Sequence, residues 1–243
     1  MWPDGSVYEG YWKHDKAEGR GRLIHSDGDV YEGEWKEDKA NGHGTYIHFS
    51  GATYEGEWLD DKQHGFGIER WEDGANYQGE YRFGRKHGKG KFIWSDGSTF
   101  EGDFVGNGIE GRGVYRWYDG REYDGQWSKN KMHGYGTFRW PDGRVYRGNY
   151  ALDAKEGYGV FEWPDGRKYE GNWHSGVQHG EGVLMSAKGK RRKGYFENGK
   201  RITWIDQIPA NSNRDYSDSA FDGRNSANNK SDNMYTLGEE SQE

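Results

Sequence analysis

The sequence predicts an all-β protein: an elongated, single-layer antiparallel β-meander of stacked 23-residue β-hairpin repeats. Three observations lead there. An aromatic residue recurs every 23 residues, at Tyr8, Tyr31, Tyr54, Tyr77, Phe100, Tyr123, Tyr146 and Tyr169. Glycines (Gly10, Gly33, Gly56, Gly79, Gly102, Gly125, Gly148, Gly171) and tryptophans (Trp71, Trp94, Trp117, Trp140, Trp163) keep the same step. Within a unit the residues alternate between two faces, and a period of this length with that alternation marks a repeat array rather than ordinary globular domains.

Taken in order, the chain begins with a half unit, since Trp2-Pro3-Asp4-Gly5 matches Trp140-Pro141-Asp142-Gly143. Repeat arrays need terminal caps, so a start in mid-unit points to a missing half unit upstream or to end-to-end association. Eight full units follow from Tyr8 to Arg191, and a ninth fades after them: Arg192 stands in the aromatic column while Gly194, Phe196 and Gly199 keep register. The predicted array spans 1–204.

In each unit, alternation gives a first strand, with Tyr31, Gly33 and Trp35 on one face and Glu32 and Glu34 on the other. A second strand follows the Gly-x-Gly step, as in Gly90-Lys91-Phe92-Ile93-Trp94. Asp-Gly then signals a hairpin. A three-residue loop Ser95-Asp96-Gly97 would set Trp94 against Ser98, Phe92 against Phe100 and Gly90 against Gly102. A two-residue turn would throw Phe92 and Phe100 onto opposite faces, so the longer loop is expected. Sixteen such strands at roughly 4.8 Å each would extend some 75 Å, with ring stacks lining a groove.

From 205 to 243 the composition turns to Asn, Ser and Asp, and Asp206–Glu243 carries 8 acidic and 3 basic residues of a chain whose net charge is −7. This tail reads as disordered. Just before it, Ile202, Trp204, Ile205 and Ile208 are candidates to cover the last hairpin.

These motifs, Tyr-x-Gly-x-Trp, then His-Gly-x-Gly, then Asp-Gly at 23 residues, resemble the MORN repeat family over about four fifths of the chain. The resemblance implies a β-hairpin ribbon and a role in cytoskeletal, ciliary or membrane-adjacent assemblies. It also implies binding to acidic phospholipid as an alternative, a role proposed for such arrays. MORN arrays also occur beside lipid kinase or methyltransferase domains, and neither is recognisable in this sequence.

Composition narrows the chemistry. With 31% hydrophobic residues and a mean hydropathy of −1.28, the chain would ordinarily suggest disorder. Twelve Trp and 18 Tyr instead supply the burial, because each ring can remove roughly 150–250 Å² from water. Zero cysteines exclude disulfides and thiolate metal sites, and the absence of a long apolar run or signal peptide makes a cytoplasmic protein the expectation.

Candidate chemical sites are weak. His64, His87, His133 and His179 share one column, but equivalent positions lie about 9.6 Å apart, too far for one zinc. Other units hold Glu18, Asn41, Glu110 and Glu156 there, which suits a polar turn residue. Gly106-Asn107-Gly108-Ile109-Glu110-Gly111 satisfies GxGxxG but precedes a strand, where a dinucleotide loop needs a helix. Glu32, Glu34, Glu55 and Glu57 fall on an outer face with no pocket to perturb them. The reading therefore assigns no catalytic residue, no cofactor and no metal, and a net-acidic chain without the binding motifs excludes nucleic acid as a partner.

What remains is a partner-binding groove of Tyr31, Trp35, Tyr54, Trp58, Tyr77, Trp94, Phe100, Trp117, Tyr123, Trp127, Tyr146, Trp163, Tyr169 and Trp173, whose rings also have to pack on one another. The expected function is a non-enzymatic scaffold that binds a partner helix or extended peptide there, or a second copy of itself. For the lipid alternative, Lys188, Lys190, Arg191, Arg192 and Lys193 form the candidate phosphate contact. A row of Lys16, Lys39, Lys62, Arg85, Lys86, Lys131 and Lys155 would assist along one edge, interrupted by Glu37, Asp38, Asp60, Asp61 and Asp153.

Overall fold

A computed structural model describes residues 4–205. These contain eighteen strands and no helix, and they divide into two compact units. The first, Met1–Tyr118, holds β1 (Val7–Lys13), β2 (Lys16–Ile24), β3 (Val30–Lys36), β4 (Lys39–Ile47), β5 (Thr53–Leu59), β6 (Lys62–Arg70), β7 (Asn76–Arg82), β8 (Arg85–Ile93), β9 (Thr99–Val105) and β10 (Gly108–Arg116). The second, Asp119–Glu243, holds β11 (Glu122–Ser128), β12 (Lys131–Arg139), β13 (Val145–Ala151), β14 (Ala154–Glu162), β15 (Lys168–His174), β16 (Val177–Met185), β17 (Arg191–Glu197) and β18 (Lys200–Trp204). Within each unit every strand pairs antiparallel with its neighbours in sequence, giving a single-layer meander. The eight repeats supply sixteen strands, and the fading ninth adds β17 and β18.

The Asp-Gly loop follows the register expected of it. Ile93 faces Thr99, Phe92 faces Phe100 and Gly90 faces Gly102. Trp94 N donates to Ser98 O at 2.9 Å, and Gly97 closes the loop at φ +87°.

The other end of each unit differs from expectation. The second strand starts ahead of Gly-x-Gly, so the segment that reads as a polar loop is mostly strand. Only two residues turn, as at Glu37 (φ 50°) and Asp38 (φ 70°). Positive φ at both positions makes a type I′ hairpin, whose twist matches that of the strands.

The longer strand then bulges: Gly33 faces Gly44, but Trp35 faces Ala40. In the next repeat the bulge passes through Gly65 at φ +61°. There an added Cβ would lie 2.5 Å from the Glu57 carboxyl carbon. The amide released by the bulge is not left bare, because Phe66 N donates to Glu57 Oε1 at 2.9 Å. Lys89 N to Glu80 and Tyr135 N to Gln126 repeat the arrangement at 3.0 and 2.7 Å. Glu57, which reads as a solvated side chain, is thus a cap on the backbone.

Each hairpin tip is fastened to the preceding repeat. Asp61 N donates to Ala40 O at 3.0 Å while Ala40 N donates to Asp61 Oδ1 at 2.7 Å. Asp38 with Ala17, Asn107 with Lys86 and Asp153 with Met132 do the same. Asp and Asn suit this position twice over, since they tolerate left-handed φ and carry the acceptor. The mixed His column is another fastening: Glu18 and Glu156 accept the amides of Glu37 (3.1 Å) and Ser175 (2.9 Å). Asn41 and His64 accept the amides of Asp60 and Phe83 in the same way, at 3.3 and 3.5 Å, so side chains of different kinds serve there.

At the far end, β18 pairs with β17, and Trp204 is half-buried between the guanidinium groups of Arg192 and Arg201 at 4.1 and 4.2 Å. Ile202, expected to help cover the last hairpin, is 58% exposed: it falls at the irregularity of the β17–β18 pairing, where Tyr195 faces Thr203 and Phe196 faces Arg201. Ile208 and the polar tail beyond Ile205 fall outside the described residues.

Candidate peptide-binding aromatic face

Alternation puts most of the rings on one face of each meander, in two rows, while Phe66, Tyr135, Tyr158 and Tyr195 fall on the other face and are exposed. In the first row the column opened by Tyr31 lies flat across a glycine pair. A Cβ on Gly33 or Gly44 would stand 2.5 or 2.4 Å from the Tyr31 hydroxyl. The seat exists only because both residues are glycine. The hydroxyl reaches over the bulge and donates to Glu34 O at 3.0 Å, the carbonyl that the bulge takes out of the ladder. Tyr54, Tyr77, Tyr123, Tyr146 and Tyr169 do likewise at 2.9–3.0 Å. Burial pushes these hydroxyls well above the ordinary tyrosine range, so they remain protonated donors.

Each of these rings is wedged edge-on between its own and the next repeat's ring four positions along. Tyr31 meets Trp35 and Trp58, both at 5.1 Å. Tyr77 meets Tyr81 and Phe104 at 5.2 and 5.1 Å, and Tyr146 meets Tyr150 and Trp173 at 5.3 and 5.2 Å. The indole N–H groups also find backbone partners: Trp35 Nε1 donates to Gly21 O and Trp58 Nε1 to Gly44 O, both at 3.1 Å.

Most of the sequence-predicted groove belongs to this row and is buried: Tyr31, Trp35, Tyr54, Tyr77, Phe100, Tyr123, Trp127, Tyr146, Tyr169 and Trp173 are at most 6% exposed. Trp58, Trp94, Trp117 and Trp163 are half-buried. The last three stand in the second row, together with rings that pattern reasoning left out of the site. In the first unit the row runs Trp71, Phe92, Trp94, Tyr115, Trp117, with centroids 5.4, 4.6, 5.0 and 4.5 Å apart. In the second it runs Phe138, Trp140, Phe161, Trp163 at 4.4, 5.5 and 4.7 Å. The signal for it was present, since Phe92, Tyr115, Phe138 and Phe161 each precede a tryptophan by two residues and so share its face.

Two lysines of the expected basic edge belong here instead. Lys86 Nζ lies 4.7 Å from the Trp71 ring and 3.2 Å from Glu69 Oε2. Lys155 Nζ sits among Trp140, Tyr146, Phe161 and Trp173 at 5.2–5.6 Å. They stand one position past the column of Lys16, Lys39 and Lys62, and a shift of one residue on a strand changes the face.

The basic run near the end is likewise divided between faces. Arg191 pairs with Glu170 at 3.2 Å and Lys193 with Glu181 at 2.8 Å. Arg192 lies over Trp204, Lys190 N donates to Ser186 Oγ at 3.1 Å, and Lys188 is exposed. Among the described residues no group of three or more His, Cys, Asp or Glu is arranged to hold a metal.

The family model for the MORN repeat matches residues 8–30, 31–53, 54–75, 77–99, 100–120, 123–143, 146–166 and 169–191. The chain belongs to the MORN-repeat family. No curated protein matches its sequence. Solved structures with similar strand arrangement include the TCP10 domain of Danio rerio CPAP in complex with a peptide of Danio rerio STIL. That likeness has 14% identity and a TM-score of 0.49, and covers 84% of this chain and 91% of that one. Another is the SAS-4 (dCPAP) TCP domain of Drosophila melanogaster in complex with a proline-rich motif of Ana2, with 11% identity, a TM-score of 0.43, and coverage of 71% and 94%. At these identities and scores nothing of their partners transfers to the MORN array described above.

Proposed function

We propose that this MORN array is a non-catalytic cytoplasmic scaffold whose second ring row receives a helix or extended segment of a partner protein. One observation carries the reading: from Tyr31 onward the first row is buried except for Trp58, whereas Trp71, Trp94, Trp117 and Trp163 of the second row are half-buried and keep part of each indole in solvent. Half-exposed indoles in a row offer apolar area already held rigid, which lowers the ordering cost of binding. The tyrosine hydroxyls of the adjoining row are committed to the backbone, as Tyr77 and Tyr123 show, which favours binding over catalysis.

A photo-crosslinking residue placed at 94, 117 or 163 in the full chain, with position 55 on the opposite face as control, tests this. The expected outcome is one protein segment crosslinked from the ring face alone, whose binding, measured with the purified partner, falls about tenfold or more when the neighbouring Trp is changed to Ala. A second copy of this chain recovered from the ring face would identify self-association. Equal labelling from both faces would refute the reading. Acidic phospholipid is the alternative occupant, supported by Lys188 and its neighbours, although Arg191 and Lys193 already have carboxylate partners. Vesicle binding abolished by Ala at 188 and 190–193, with no ring-face crosslink, would favour it instead.

A further inference from the structure

The second row differs between the two units in a way that names a ligand. In the second unit, Arg144 stacks on Trp140 with Cζ 5.1 Å from the ring centre, and its Nε donates to Asp142 Oδ2 at 2.7 Å. Arg167 repeats the arrangement on Trp163 and Asp165 at 5.4 and 2.7 Å. The chain therefore builds Trp-x-Asp sites that hold a guanidinium over an indole and bonded to a carboxylate.

Three repeats before Trp140, a similar site recurs around Trp71, with its aspartate, its lysine and two of its ring neighbours in the same places. Asp73 replaces Asp142 and caps the Ala75 amide through Oδ1 at 3.0 Å, as Asp142 caps Arg144 N at 3.1 Å. Lys86 lies against Trp71 as Lys155 lies against Trp140, at 4.7 and 5.2 Å. Phe92 and Tyr77 stand where Phe161 and Tyr146 stand. The arginine is what changes, because position 75 is alanine, 6% exposed.

The charge around Trp71 changes in the same direction. Glu72 stands where the second unit has Pro141, and Glu69, in the place of Phe138, already pairs with Lys86 at 3.2 Å. Asp73 and Glu72 are both exposed. The neighbouring site at Trp94 is different, since Asp96 Oδ2 takes the Ser98 hydroxyl at 3.0 Å.

We propose that Trp71, Asp73 and Glu72 form a docking site for an arginine side chain of a partner peptide, laid on the indole as the chain's own Arg144 lies on Trp140. The inference rests on the scaffold reading for its setting and adds the partner's chemistry. Arginine is preferred over lysine because a planar guanidinium both stacks and presents a fork to the carboxylate, whereas an ammonium is a compact hydrated point charge.

The test follows the Trp71 and Trp140 indole N–H signals of the full chain by NMR. The probes are blocked extended peptides carrying one central arginine, lysine or citrulline between prolines. The arginine peptide is expected to shift Trp71 saturably, lysine to bind about tenfold more weakly, equivalent to roughly 1.4 kcal/mol, and citrulline to have no effect. Ala75→Arg should abolish the response by supplying the arginine internally, and Arg144→Ala should make Trp140 respond. Asp73→Asn keeps the amide cap, so its loss of binding reports charge rather than folding. Equal response to arginine and citrulline, or a response unchanged by both Ala75→Arg and Asp73→Asn, would overturn the site. A partner crosslinked on the ring face with no arginine at Trp71 would remove this inference and leave the scaffold standing. An arginine response without any crosslinked partner would do the reverse.

Discussion

Gly90→Ala probes the central packing device, a tyrosine lying on two glycines. The added methyl carbon would stand 2.4 Å from the Tyr77 hydroxyl and 2.6 Å from two of its ring carbons, so the ring has to leave its seat. Tyr77 is fully buried, donates to Glu80 O at 3.0 Å, and meets Tyr81 and Phe104 edge-on at 5.2 and 5.1 Å. A hydrogen bond is worth about 1 kcal/mol net and each ring pair about 0.5–1.5 kcal/mol. Up to about 1 kcal/mol returns from replacing a flexible glycine in a strand. The net cost is about 2–3 kcal/mol, or on the order of 100-fold in local opening. Because a repeat is held mainly by its neighbours, the loss should be local. Amide hydrogen exchange of the full chain should show it in β7, β8 and β9, with β13–β16 unchanged. Combining Gly90→Ala with Tyr77→Ala should cost less than the sum of the two, since the second change removes the clash. A change in β7–β9 exchange below about threefold, or full additivity, would refute this account of the glycine pairs.

Other consequences concern the same devices. Tyr123→Phe removes the donor to Gln126 O at 3.0 Å and should lower stability in urea by about 1–2 kcal/mol; an unchanged midpoint would mean that the bulge carbonyl is satisfied otherwise. Burial raises the Asp153 carboxyl above the usual carboxylate range against the pull of the Met132 amide and Lys131. Its ionised form therefore costs stability at neutral pH, and that cost fades as pH falls through the raised value towards the ordinary one. Asp153→Asn, which puts the residue of Asn107 and Asn130 in that column, should raise the urea midpoint at pH 7 and lose the advantage below about pH 4; a difference independent of pH would refute the assignment. Lys155→Met places the residue of Met132 among the same kind of rings. It should change stability by less than about 1 kcal/mol in either direction, and a loss above about 3 kcal/mol in chemical denaturation would show that the ammonium is essential to the ring cluster.

The sequence by itself determined the repeat, the all-β class, the antiparallel order and the register of the Asp-Gly loop. Those follow from period two and period 23, which put Phe92 opposite Phe100 and glycine opposite glycine whatever the rest of the chain does. What the fastenings do was decided only in three dimensions. Glu57 looks like any exposed carboxylate until the bulge releases the Phe66 amide beside it, and the interchange of His, Glu and Asn in one column makes sense only when the next hairpin's amide lies within reach. The candidate site was half legible for the same reason. Pattern assigns Tyr77 and Trp94 to one face without distinction. Burial depends on what a neighbouring repeat lays over each ring, and that covered the tyrosines from Tyr31 onward and Trp140 but left Trp71, Trp94, Trp117 and Trp163 half-buried. Likewise, that Ala75 stands where Arg144 covers its indole is readable as a substitution, but only the stacked guanidinium in the tertiary structure shows what the alanine leaves open.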